Sequence, residues 1–337
     1  MSISSSSYQH PFPSLTLEKT RGSTPVAERK AYIKALHCLN SLPSKIDDGS
    51  VPGARTRYDD FVAAHMIETP WVHSNGPFLG WHRKYVHLLE VALRDECGYT
   101  GAVPYYDWTL TWQDQRNASI FDGSDASMGS DGIFIPNREP TVTVNSRGRV
   151  RLLDPANGGG CVERGPFTAD KWEIRLGPKA IQPSGPDDGL GYNPRCMKRD
   201  FNIEVNREHR PSNITTLLGC QDYACFGPTV DLAASRWGGA HGVGHLAVGG
   251  DEADGYSSPA DPIFFNHHAN LDRLWAIWQE LGSGRKQQLF GTITSGNFPP
   301  SENATFESET RFPYIGQTGK IGDYVSTIDG EFCYIYV

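Results

Sequence analysis

The run Gly238-Gly239-Ala240-His241-Gly242-Val243-Gly244-His245 decides the fold, because it sets two imidazoles four residues apart. Side chains at i and i+4 of a helix share a face and can reach one metal ion. Four glycines make a poor free helix, but they let other backbone come very close. A third imidazole follows in Asp261-Pro262-Ile263-Phe264-Phe265-Asn266-His267-His268. There Asp261 reads as an N-cap and Pro262 as the first helical residue. The helix is expected to reach about Leu281, with Leu271, Leu274, Trp275 and Trp278 on one face.

A second histidine group repeats the pattern nearer the N-terminus. His65 lies in the helical segment 57–70, and His82 opens a helix over 81–96. His73 sits in a loop marked by Pro70, Asn75-Gly76 and Pro77. Phe78 precedes His82 by four residues, as Phe264 precedes His268. A lone histidine is more often a hydrogen-bonded core or surface residue than a ligand, so His10, His37, His87 and His209 are read that way. Two three-histidine groups are harder to attribute to chance. All six candidates are imidazoles, which suit Zn, Cu, Fe and Ni. Non-haem iron would want carboxylates, and zinc hydrolysis a glutamate beside the ligand. A copper pair, stable as Cu(I) and Cu(II), fits best.

The rest of the 337-residue chain is consistent with one large domain. Residues 1–25 read as an extended arm and 26–337 as a single domain. A helix is expected over 26–46. Residues 117–200 are dense in Gly, Asp, Ser and Pro and read as irregular surface with short strands, such as Thr141–Asn145 and Arg149–Leu153. The tail after Pro299 reads as strand-like. A net charge of −8 without a Lys/Arg block excludes a nucleic-acid partner. No run of about 20 apolar residues is present to cross a bilayer. Seven cysteines spread along the chain suit disulfides with one left over; Cys38–Cys97 is one expected pair, and Cys161 and Cys196 are candidate staples for the irregular region. With sequons at Asn117, Asn213 and Asn303, they favour a secreted protein over a cytoplasmic one, although no signal peptide is visible. Nothing in the sequence assigns an oligomeric state.

Phe78-Leu79-Gly80-Trp81-His82-Arg83-Lys84-Tyr85 and Asp261 to Trp275 resemble the two copper signatures of the type 3 copper proteins, which are the tyrosinases, catechol oxidases and haemocyanins. Pro104-Tyr105-Tyr106-Asp107-Trp108 resembles the family's Pro-Tyr-Trp-Asp-Trp segment, with Tyr106 in place of Trp. Tyr334-Ile335-Tyr336 resembles its closing tyrosine motif. Length and spacing look most like the short fungal polyphenol oxidases. The resemblance implies a mainly α fold, a four-helix bundle holding a dicopper centre amid long irregular loops. It implies His65, His73 and His82 on copper A, and His241, His245 and His268 on copper B. His267 then becomes a hydrogen-bonding neighbour, and Asp272 a carboxylate that orients a ligand ring. Gly242, Leu246, Phe264 and Phe78 fall at the substrate pocket, and Asp231 is a positional candidate for the general base.

The chemistry so implied is oxidation of small phenols by O2, catechols becoming o-quinones. Three departures from the family pattern matter. No cysteine lies between His65 and His82, so no thioether to a copper ligand is expected. Strong monophenol hydroxylases often carry Asn where this chain has Gly242, and a polar group where it has Leu246. Both point to weak or restricted monophenol activity, while Gly242 is expected to make room for ortho-substituted phenols. The chain stops at the tyrosine motif, so no C-terminal lid is expected. A full tyrosinase and an ortho-methoxy- or halophenol oxidase are the enzymatic alternatives. An oxygen carrier and a structural metal protein are the non-enzymatic ones.

Overall fold

A computed structural model describes residues 16–19, 23–144, 148, 150–231 and 237–337. Among them are eight α-helices: α1 (Val26–Leu39), α2 (Arg57–Val72), α3 (Phe78–Cys97), α4 (Ile203–Asn206), α5 (Pro211–Leu218), α6 (Tyr223–Val230), α7 (Gly239–Val248) and α8 (Ile263–Glu280). The bundle that matters is α2, α3, α7 and α8, with α1 packed on α3. Strands are short and come in two-stranded ladders. One of them pairs Thr16–Glu18 in parallel with Tyr334–Tyr336, so the N-terminal arm meets the end of the chain.

Local chemistry sets the ends of the ligand-bearing helices. Thr56 caps α2 by accepting from the Asp59 amide, while the Asp59 carboxylate accepts from the Thr56 amide at 2.9 Å. This reciprocal box satisfies two of the amides that a helix start leaves without partners. α3 ends at Gly98 with φ 67°, the left-handed cap that glycine adopts without strain. At α8, Asp261 accepts from the Ile263 amide at 3.1 Å, with the helix starting at Ile263, one residue later than the sequence reading put it. The same carboxylate takes both arms of Arg199, at 2.7 and 2.8 Å, and neither residue is solvent-exposed. That pair ties the start of α8 to the irregular region.

Some boundaries differ from the sequence reading. α1 stops at Leu39 rather than at residue 46. α2 runs two residues past Pro70, so His73 is the residue that ends the helix rather than one inside a loop. α3 begins at Phe78, which puts His82 in its second turn. The hairpin pairs Thr141–Val144 with Val150–Leu153; Asn145 and Arg149 lie outside the described residues. The tail is mostly turns, with ladders only at 309–310, 319–320 and 334–336. Disulfides join Cys38 to Cys97, Cys161 to Cys196 and Cys220 to Cys225, leaving Cys333.

Asp272 does something other than expected. It touches no imidazole. One oxygen accepts from Arg83 at 2.5 Å, and the other accepts from the hydroxyls of Tyr334 and Tyr336, each at 2.6 Å. Arg83 sits over Trp275, its Cζ 3.9 Å from the ring centre, and also donates to the Tyr324 carbonyl. This buried cluster bolts α3, α8 and the C-terminal strand together. Removing one partner of a buried ion pair typically costs about 3–5 kcal/mol. Asp272→Asn is therefore expected to lower unfolding free energy by about that much in denaturant titration, while the folded fraction keeps its full metal content.

Candidate metal centre

The two histidine groups meet at the middle of the bundle. His65, from α2, His73 at its end and His82 from α3 form one group; His241 and His245 from α7 with His267 and His268 from α8 form the other. They face each other directly. The His82 ring stacks on His268 at 4.4 Å between centres, and His73 on His241 at 5.6 Å.

Hydrogen bonding decides which nitrogen each ring offers. A carbonyl can only accept, so a ring nitrogen beside one carries the proton. Nδ1 of His65 lies 2.7 Å from the Tyr256 carbonyl, Nδ1 of His82 lies 2.8 Å from Phe78, and Nδ1 of His73 lies 3.2 Å from Thr69. Each ring is thereby fixed with its Nε2 lone pair free. Nε2 of His65 and of His82 are buried with no hydrogen-bond partner. In the second group, Nδ1 of His241 donates to Asp231 at 2.9 Å. Its Nε2 then faces Nε2 of His245 at 2.9 Å, which in turn lies 3.3 Å from Nε2 of His268. Three Nε2 atoms converging this closely are placed to share one cation. The donor set fits a metal in each group.

The same accounting separates the adjacent histidines of α8. His267 directs Nε2 at the His241 carbonyl, 3.0 Å away, so that nitrogen is a donor and unavailable to a metal. His268 has no such bond and completes the triad. Burial pushes the titration of His65, His82, His245 and His268 well below the usual imidazole value, neighbouring rings adding to it, and brings His73 to about 4. Those five rings are held neutral, the form a metal needs.

The glycines of α7 act through closeness. A Cβ on Gly244 would come within 2.0 Å of the His267 ring, so only glycine lets that ring lie against the helix. A Cβ on Gly242 would meet the Trp237 carbonyl at 2.3 Å. The space over Gly242 is thus occupied by backbone, and it does not widen a channel for ortho-substituents. Phe264 is also not a pocket residue. It is fully buried and stacks on His268 at 4.0 Å, a backstop for the ligand. Phe78 is equally buried, against His241 at 4.7 Å and His82 at 4.8 Å; it borders a cavity of about 350 Å³ shared with Ser74, Tyr223 and Asp231. Leu246 does line a cleft, of about 520 Å³, with Val205, Trp237, Arg195 and Lys198.

Asp231 is no free base. Besides His241 it accepts from the Ser74 amide at 2.5 Å. Burial pushes its carboxyl up, but His241 and the Ser74 amide outweigh burial and hold it below its usual value. It does the ring-orienting work expected of Asp272. One residue escaped the sequence reading. Glu252 is 1% exposed, with Oε1 3.0 Å from Nδ1 of His245. Burial, with Asp261 adding to it, pushes its carboxyl well up. Its only sequence signal is an acidic pair, Asp251-Glu252, shortly after α7.

A four-helix bundle closing on two facing three-imidazole groups defines the type 3 copper class, in which a pair of coppers works on O2. The profile of the common central domain of tyrosinase matches residues 55–281, and the chain belongs to the tyrosinase family. It is 37% identical to N-acetyl-6-hydroxytryptophan oxidase of Emericella nidulans, over 95% of this chain and 92% of that one. Tyrosinase P of Aspergillus terreus is 34% identical over 92% of this chain and 88% of its own. A point mutant of the polyphenol oxidase from Thermothelomyces thermophila superposes with a TM-score of 0.88, at 36% identity, covering 96% of this chain and 89% of that one. The protein is a dicopper oxidase of this family. The family acts on phenols with O2, and its cofactor, two copper ions, fits the two histidine groups.

The tautomer argument yields a sharp contrast. His268→Ala is expected to drop copper content from two per chain to one by elemental analysis, while His267→Ala retains two. Asp231→Asn is expected to weaken copper binding about 10–100-fold in a chelator competition, the usual cost of losing a ligand's hydrogen-bonding partner.

Proposed function

We propose that the protein oxidises o-diphenols to o-quinones and hydroxylates monophenols poorly. Two catechols and one O2 give two o-quinones and two waters. The copper pair supplies the site at which O2 is bound and reduced. The chain's own groups fix the ligand tautomers, exclude water from the inner faces of the rings, and shape the approach.

The supporting observation is the absence of a free proton acceptor beside copper B among the described residues. Asp231 is committed to His241 and Ser74, and Glu252 is enclosed behind His245. Gly242 and Leu246, the residues after the two α7 ligands, have no polar side chain. A catechol ionises more readily than a monophenol and needs less help to bind. A positioned base contributes roughly 10²–10⁴-fold. Turnover of L-tyrosine is therefore expected to be about 100-fold or more below that of L-DOPA in kcat/KM. Fast, lag-free tyrosine oxidation would overturn this reading.

A second reading rests on the relative that oxidises N-acetyl-6-hydroxytryptophan. The cleft at Leu246 offers the apolar walls of Trp237 and Val205, with Lys198 beside them making no ion pair among the described residues. A hydroxyindole carrying an acidic arm suits those walls and that cation. Comparing 6-hydroxyindole with and without a carboxylate-bearing arm tests it. A lower KM for the acidic substrate, lost in Lys198→Gln, is the expected result.

A further inference from the structure

The two copper positions are supported by different chemistry. On the copper A side all three Nδ1–H groups point at main-chain carbonyls, those of Tyr256, Thr69 and Phe78. On the copper B side the partners on α7 are carboxylates, Asp231 beside His241 and Glu252 beside His245. Glu252 lies outside the family signatures quoted above, and nothing in the sequence ties it to His245.

Its surroundings show a built site. Glu252 is almost fully enclosed, so it cannot touch a substrate in the cleft. Its Oε1 lies 3.0 Å from Nδ1 of His245, within reach of a hydrogen bond to that nitrogen. Both of its oxygens, Nδ1 of His245 and Nδ1 of His268 are buried without a hydrogen bond. Behind the carboxylate is an enclosed pocket of about 10 Å³, where Nε1 of Trp108, Oε1 of Gln115 and Nδ1 of His267 also lack partners. Carbon in place of Glu252 would leave His245 with no acceptor for its Nδ1–H.

We infer that Glu252 is a positioning residue for copper B, holding His245 in the Nδ1–H form with Nε2 aimed at the metal. The inference rests on the reading that the two histidine groups bind copper. It makes copper B depend on a carboxylate that copper A does not use.

The test separates the positions. His82→Ala leaves a chain loading only copper B, and His268→Ala one loading only copper A. Cu(I) affinity is measured in each by competition with a chromogenic chelator. Adding Glu252→Leu is expected to weaken binding about 10–100-fold in the first background and to leave the second unchanged. Glu252→Gln, which keeps an acceptor, restores most of the affinity. Should the leucine variant fail to fold, Glu252→Asp withdraws the carboxylate by one methylene and is expected to give the same selective loss. Equal affinity with and without the substitution in the copper-B background overturns the inference. So does an equal loss in both backgrounds, which marks Glu252 as merely structural. Absence of copper binding in both parent backgrounds sinks the underlying reading instead.

Discussion

The centre depends on one constraint: each ligand imidazole must be neutral and must keep its Nε2 lone pair unprotonated. A free histidine meets neither demand reliably near neutral pH. Here burial serves the first for His65, His73, His82, His245 and His268, and hydrogen bonding at Nδ1 serves the second for His65, His73, His82 and His241. Much of the fold can be read as supplying those acceptors. Helices α2 and α3 use their own backbone, since a histidine one turn after Thr69 or Phe78 reaches the carbonyl of that residue. His65 needs a carbonyl from far along the chain, that of Tyr256, which requires the segment before α8 to pass close to α2. The Tyr58 hydroxyl of α2, donating to the Pro259 carbonyl at 2.8 Å, holds the two elements in that relation.

Packing then keeps the rings from turning. Phe264 and Phe78 lie against the ligands as walls, and Trp81 stacks on Tyr85 and Phe312 behind them. Interiors this closely packed leave few alternative rotamers. The Asp272–Arg83 bolt works at one remove, fixing α3 against α8 so that His82 and His268 face each other. Breaking that bolt should be felt in stability before it is felt in metal binding.

Much of this was legible in the sequence, for reasons that can be named. The ligands were visible because the same chemical type recurred at helical spacing with an aromatic one turn ahead. The Cys38–Cys97 pair was visible because both residues flank bundle helices. Asp231, read as a base, and Asp272, read as orienting a ring, were both misassigned, because a carboxylate one turn from a ligand on the same helix is near in sequence while its side chain is free to face other elements. Which ring an acid touches depends on the approach of other elements, and no local pattern encodes that. Glu252 was missed for the same reason. Gly242 misled because an absent side chain says nothing about what occupies its place, here the Trp237 carbonyl. The boundary at Pro70 failed because a proline near a helix end sacrifices only one hydrogen bond, and α2 continues to Val72.

α7 carries a further consequence. Three of its ten residues are glycines, each costing a helix about 1 kcal/mol against alanine. Such a segment has little tendency to be helical by itself; it is ordered by what leans on it. His267 fills the notch at Gly244, Asp231 holds His241 from outside, and Glu252 lies beside His245. Metal binding adds to the same side of the balance. The element that presents two of the three copper B ligands is therefore held helical largely by its neighbours rather than by its own propensity. Occupancy of the site and protection of the amides along 239–248 are two views of a single equilibrium.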